Sequence, residues 1–165
     1  AGIKDTLLCV EGPWRVTFTR DSVPGNTKVF NKLTDWKESG DTDVRFYSGE
    51  AVYVNKFMMN HLPSGQLWLD LGKVMLMAKV YLNGKYVGGV WTPPYRVDVS
   101  DALKEGENTL AVRVYNGWRN RLIGDSALPP ERRVTWVLNN SLTADSPLQS
   151  SGLLGPVCVL KEGLE

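Results

Sequence analysis

Apolar and polar positions alternate with a period of two along much of the chain. Trp14, Val16 and Phe18 alternate with Arg15, Thr17 and Thr19, and Leu110, Val112 and Val114 with Ala111, Arg113 and Tyr115. A period of two lines up one face of an extended strand, so each such segment is expected to bury one side of a sheet. Further strands are predicted over 51–58, 66–71, 77–82, 85–91, 95–99, 132–138 and 156–161. Asn83-Gly84 is the dipeptide preferred by a two-residue hairpin turn, in which both positions need a positive φ, so the strands flanking it should pair antiparallel. No window of a dozen residues carries a sustained 3.6-residue stripe. "SDALKEGEN" offers a single capped turn from Ser100 or Asp101 to Lys104, closed by Gly106. The pattern predicts an all-β fold, a two-sheet antiparallel β-sandwich or jelly roll whose loops gather at its two ends.

Length and composition sharpen this picture. The 165 residues suffice for one well-buried domain, taken as 1–165, and are too few for a (β/α)8 barrel of about 250 residues. Nineteen basic and eighteen acidic side chains give a formal charge of +1, without a basic run to grip a phosphate backbone, so nucleic acid is not an expected partner. Apolar runs such as Val74–Ala78 fall far short of the roughly 20 residues that cross a bilayer, so no membrane partner is expected either. Ala1-Gly2-Ile3 lacks a signal-peptide pattern, and the chain is expected to be soluble, a mature protein or an excised fragment.

Candidate chemistry is sparse. His61 is the one histidine and is expected at the surface, which leaves little for a metal site or a Ser-His-Asp triad. Cys9 and Cys158, in the first and last strands, show neither zinc nor redox spacing. A disulfide needs Cα atoms about 4.4–6.8 Å apart, which paired strands offer only at some positions, so two free, buried thiols are favoured over a bridge. Three loops are long enough to carry function: 19–43 with Trp36, 91–95 with Pro93-Pro94, and 116–131 with its continuation 139–152.

The order of features from Leu82 to Val114 is distinctive: a hairpin "LNGKYVG", a corner "VWTPPYRVDVSDALK", then "EGENTLAVRV". It resembles the galactose-binding-like β-sandwich domain of glycoside hydrolase family 2 enzymes, and "FYSGEAVYVNKF" and "WLDLGKV" extend the likeness over roughly residues 8–161. "YNGWRNRLIGDSALP" followed by "SGLLGPVCVL" is similar to the terminal sandwich domain of family 106 α-L-rhamnosidases. The resemblance implies a piece of a larger, bacterial, secreted or periplasmic glycoside hydrolase. Its partners would be carbohydrate and the catalytic domain of the same polypeptide. In the family 2 relatives the loop after "NTLAVRV" reaches the neighbouring active site, and by position that loop here is Asn116, Trp118, Arg119, Asn120, Arg121 and Asp125.

No catalytic barrel accompanies the match. Asp41/Asp43, Asp98/Asp101 and Glu105/Glu107 fall in turns and at strand ends, where solvated or capping acids are expected, so no acid/base pair and no hydrolysis by this chain alone are expected. Sugar recognition combines flat aromatic faces with planar polar groups, a kit available in Trp91, Tyr95, Asn116, Trp118, Arg119 and Asn120. Trp14 and Trp136 hold core-like positions in alternating segments, and Trp91 or Tyr95 would equally cover the sandwich edge. An Arg121–Asp125 pair would hold a long loop without any ligand. No cofactor is implied; Asp41, Thr42 and Asp43 offer a few oxygen donors for a structural calcium. Three readings follow: an accessory, sugar-binding-type domain, a purely structural packing domain, or an independent lectin-like module. An exposed Trp118 among exposed polar groups favours sugar contact, and a broad apolar patch favours a domain interface.

Overall fold

The computed structural model describes residues 4–19, 26–137 and 140–163. The elements in chain order are β1 (Lys4–Cys9), β2 (Trp14–Phe18), β3 (Asn26–Phe30), the short helix α1 (Thr42–Arg45), β4 (Gly49–Met59), β5 (Leu67–Asp70) and β6 (Lys73–Met75). There follow β7 (Met77–Leu82), β8 (Lys85–Val90), β9 (Arg96–Asp98), β10 (Gly106–Asn116), helix α2 (Arg119–Ser126), β11 (Gly152–Gly155) and β12 (Cys158–Glu162). A six-stranded sheet has the order β3-β2-β4-β10-β7-β8, a four-stranded sheet β1-β12-β5-β9, and β11 pairs with β6. The ladders are antiparallel, and the fold is a mostly-strand sandwich.

Alternation explains the core. Trp14, Val16 and Phe18 of β2, Ala51 and Tyr53 of β4, Val80 and Leu82 of β7, and Leu110, Val112 and Val114 of β10 are all buried. They face Leu67, Leu69, Val97 and Val159 of the smaller sheet, in one continuous apolar cluster. The β7–β8 hairpin turns at Asn83 (φ 53°) and Gly84 (φ 80°), the two positive dihedrals that the dipeptide predicts. "SDALKEGEN" makes a turn rather than a helix: Ala102 N and Leu103 N both donate to Val99 O. The buried Asn108 then closes the segment, accepting from Lys104 N (3.0 Å) and donating to Lys104 O (2.8 Å).

The structure corrects several expectations. Residues 132–137 form no strand, and residue 138 lies outside the described residues. Trp136 is accordingly not in the core; it is 83% exposed. The segment 19–43 is more ordered than a loop, since it carries β3 and a single 3-10 turn at Trp36–Glu38, although its residues 20–25 lie outside the described residues. Cys9 and Cys158 are not free thiols. They are direct register partners in the β1–β12 ladder and are joined in a disulfide.

One end of the sandwich is closed by an aromatic plug. Trp36 is fully buried, packs edge-on against Phe18 (5.3 Å) and Tyr47 (5.6 Å), and its Nε1 donates to Tyr53 Oη at 2.6 Å. Leu153 N donates to the same hydroxyl (3.3 Å), and burial of Tyr53 raises its pKa above the usual phenol range. Gly152 (φ 94°) passes so close that a Cβ there would lie 2.6 Å from Trp36 Nε1 and 2.8 Å from Tyr53 Oη. Gly152→Ala should therefore lower the unfolding free energy by about 1–3 kcal/mol through backbone strain and overpacking. Gly40→Ala, with open space around the new methyl, is the matched silent control in the same urea titration.

Candidate functional site

The functional face is built by the excursion between β10 and β11. It leaves the central strand at Asn116, whose side chain clasps the start of β4. Asn116 Oδ1 accepts from Gly49 N and its Nδ2 donates to Tyr47 O, both at 2.8 Å. The chain then enters α2 behind Trp118. Sequence periodicity misses this helix because Gly124 interrupts it and its apolar stripe is weak. Tertiary bonds hold it instead.

Asp125 is the principal anchor. Its Oδ1 accepts from Arg121 Nη2 (2.7 Å) and Nε (3.0 Å), an i, i+4 pair with 12% and 3% side-chain exposure. Its Oδ2 accepts from Thr135 N (2.7 Å), Thr135 Oγ1 (2.5 Å) and Val134 N (3.1 Å). Burial pushes the Asp125 pKa up. The Thr135 bonds, the Arg121 charge and the Val134 amide outweigh it, so the carboxyl sits below its ordinary value. This network explains why 132–137 is not a strand: the backbone donors that a ladder would use at Val134 and Thr135 are taken by one carboxylate.

The 134–137 strap is thereby laid along α2. Between them lies an open groove of about 500 Å³, lined by Trp118, Leu122, Val134, Thr135, Trp136 and Val137. Trp118 is 56% exposed. On the opposite side of α2 is a smaller, more enclosed cavity of about 330 Å³ that reaches α1.

The predicted sugar-contacting residues disperse. Trp118 lines the groove. Asn120 does not face solvent: it is 2% exposed, its Nδ2 donates to Gln149 O (2.6 Å) and Ser151 Oγ (3.0 Å), and its Oδ1 accepts from Gln149 N (2.7 Å). Asn116 is similarly occupied within the fold, and Arg119 Nη2 donates to Pro147 O at 3.3 Å. Trp91 is exposed and Tyr95 is half-buried against the core; neither lines the groove. The residue that sequence reasoning placed elsewhere is Trp136, whose local alternation is indistinguishable from that of a strand.

Among the remaining candidates, Asp41, Asp98, Glu105 and Glu107 have structural partners. Asp41 caps α1 by accepting from Asp43 N (2.9 Å) and pairs with Lys28, which holds its carboxyl below the usual range. Glu107 pairs with Lys56, Asp98 accepts from Ser100, and Glu105 accepts from Leu62 N. His61 is an exposed surface residue beside Glu105. Among the described residues no three His, Cys, Asp or Glu side chains gather in a metal-binding cluster.

Comparison with known proteins agrees with the sandwich. Residues 14–144 match the family model described as glycosyl hydrolase 2 galactose-binding domain-like. A putative beta-glucuronidase of Formosa agariphila is 38% identical over 91% of this chain, which spans 15% of that protein. The structure of a rhamnosidase from Novosphingobium sp. PP1Y superposes with a TM-score of 0.89 at 37% identity, covering 97% of this chain and 15% of the rhamnosidase. A beta-glucuronidase from Ruminococcus gnavus shares the fold, with a TM-score of 0.66 at 19% identity over 97% of this chain and 29% of the enzyme. The chain thus belongs to the glycosyl hydrolase 2 galactose-binding domain-like family and spans 15% of the length of the two larger relatives at 37–38% identity.

Proposed function

We infer that this domain buttresses the catalytic domain of a bacterial glycosidase in the same polypeptide, docking through the Trp118–Trp136 groove. The observation that carries this is the groove's composition. Two exposed indoles, Leu122, Val134 and Val137 face outward, while its one polar member, Thr135, is bonded inward to Asp125. An apolar face of this kind on a domain that makes up 15% of its larger relatives suits contact with the remainder of such a chain. The exposure of Trp118 also favours a second reading, stacking on a sugar ring. The polar groups this needs beside the ring are deficient, because Asn116, Arg119 and Asn120 are bonded within the domain. The Cys9–Cys158 bridge supports an oxidising compartment, and hence secretion or a periplasmic location.

Trp136→Ser and Trp118→Ala test the docking role. In the isolated chain Trp136→Ser should change unfolding free energy by no more than about 0.5 kcal/mol, because Trp136 is 83% exposed, whereas Trp118→Ala, at 56% exposure, should cost about 1–2 kcal/mol. In the full-length enzyme both should lower Tm by more than in the isolated chain and speed proteolysis between domains. A stability loss in the full-length double variant no larger than in the isolated chain overturns docking. A raised KM from Trp118→Ala without that added loss selects the sugar-stacking reading.

A further inference from the structure

The cavity on the other side of α2 has a different chemistry from the groove. Its wall is apolar: Ile123 is buried, and Gly124 presents no side chain to Phe46, whose carbons lie 2.6–2.9 Å from where a Cβ would stand. Leu128 extends that wall. Its rim is polar. Arg121 turns Nε and Nη2 toward Asp125 behind the cavity. Arg132, Asp43 and the Thr42 hydroxyl line the cavity too, and their side chains make no hydrogen bond or ion pair among the described residues.

The charges balance. Arg121 is neutralised by Asp125, and Arg132 is offset by Asp43 across the same opening. An anion gains nothing net from such a rim, and a cation gains nothing either. A neutral polyhydroxylated ring gains from both, because guanidinium N–H groups donate to hydroxyl oxygens while a carboxylate accepts from hydroxyl protons. Its C–H face would meet Phe46, Ile123 and Leu128. The volume of about 330 Å³ is at the small end of the range for ligand sites, which is room for one ring rather than an oligosaccharide.

We propose that the cavity between α1 and α2, with Arg132, Asp43 and Thr42 at its rim, binds a single neutral pyranose unit. This gives the domain a carbohydrate contact that does not depend on Trp118. Arg132 is exposed and otherwise unengaged, so its guanidinium is available to the ligand at no cost to the fold. One ring held by a few hydrogen bonds at an open rim should bind with a Kd on the order of 1–10 mM.

The test is a titration of the isotopically labelled 165-residue chain with L-rhamnose, D-galactose and D-xylose, followed by amide chemical shifts. D-Glucuronate and inorganic phosphate serve as charged comparators. The expected result is saturable shifts at Thr42, Phe46, Gly124 and Ala127 with at least one neutral sugar, and weaker or absent shifts with the anions. Arg132→Ala should weaken binding about tenfold, the loss expected for one good hydrogen-bonding group. Ala144→Leu, which plugs the mouth from an exposed loop position, should abolish it. Both variants should keep the parent Tm, since neither side chain has a bonding partner in the fold. Three results each overturn the proposal: no shifts at about 50 mM of every neutral sugar, well above the expected Kd; shifts with glucuronate or phosphate alone; or sugar-induced shifts confined to Trp118 and Trp136. Docking is judged from the stability of the full-length enzyme, so either proposal can fail without the other.

Discussion

Replacing Cys9 and Cys158 together by serine should lower the unfolding free energy by about 5 kcal/mol, the loop-entropy value for a bridge spanning 149 residues. The strand pairing itself should survive in part, because β1 and β12 remain register partners and Val10 N still donates to Val157 O at 2.7 Å. The measurement is guanidinium denaturation of the oxidised protein, the reduced protein and the double variant. Reduced and double-variant proteins should unfold at similar, much lower midpoints. Intact mass after denaturing alkylation without reductant should show no adducts; two adducts would mean that the bridge does not form.

The second large effect belongs to Asp125. Asp125→Ala should cost about 3–5 kcal/mol, because it strands a guanidinium with 12% exposure and leaves three donors of Val134 and Thr135 without an acceptor. Asp125→Asn keeps the shape but not the charge, so it should fall between the variant and the parent. A pH dependence follows from the lowered carboxyl pKa. A depressed folded pKa contributes stability above the unfolded value of about 3.9, and that contribution is lost as pH falls through the folded value. Parent and Asp125→Asn stabilities should therefore differ most near neutrality and converge on acidification below about pH 4. A constant gap from neutral pH down to pH 2 would show that the carboxylate is not held as the network implies.

These two anchors mark where local pattern ends. The β7–β8 hairpin and the β4–β10 ladder are legible in the sequence because alternation and turn chemistry are local properties of the segments that adopt them. The bond between Asn120 and Gln149, 29 residues apart, has no local trace, and so an amide suited to a sugar hydroxyl serves the fold instead. "RRVTWVL" carries a strand's alternation, yet the backbone amides of Val134 and Thr135 find a carboxylate rather than a neighbouring strand. The helix α2 leaves one faint sign, the Arg121–Asp125 spacing, which reads as a pair before it reads as a helical turn. Trp118 is legible as an exposed ring because its neighbours are polar. Trp36, in the longest unpatterned stretch, becomes a buried plug through contacts with Phe18, Tyr47 and Tyr53 that only the folded chain brings together.

The pairing of β1 with β12 also sets an order in time. At about 5–20 residues per second, roughly seven to thirty seconds of synthesis separate the two strands. During that interval β1 has no ladder partner, and the four-stranded sheet must wait while the β4–β10 and β7–β8 pairings, whose members emerge earlier, are free to form. Cys9 is therefore the longest-lived open thiol of the nascent domain. With only two cysteines in the 165 residues it has no wrong partner within them, so closure of the bridge reports completion of the sandwich rather than a search among alternatives.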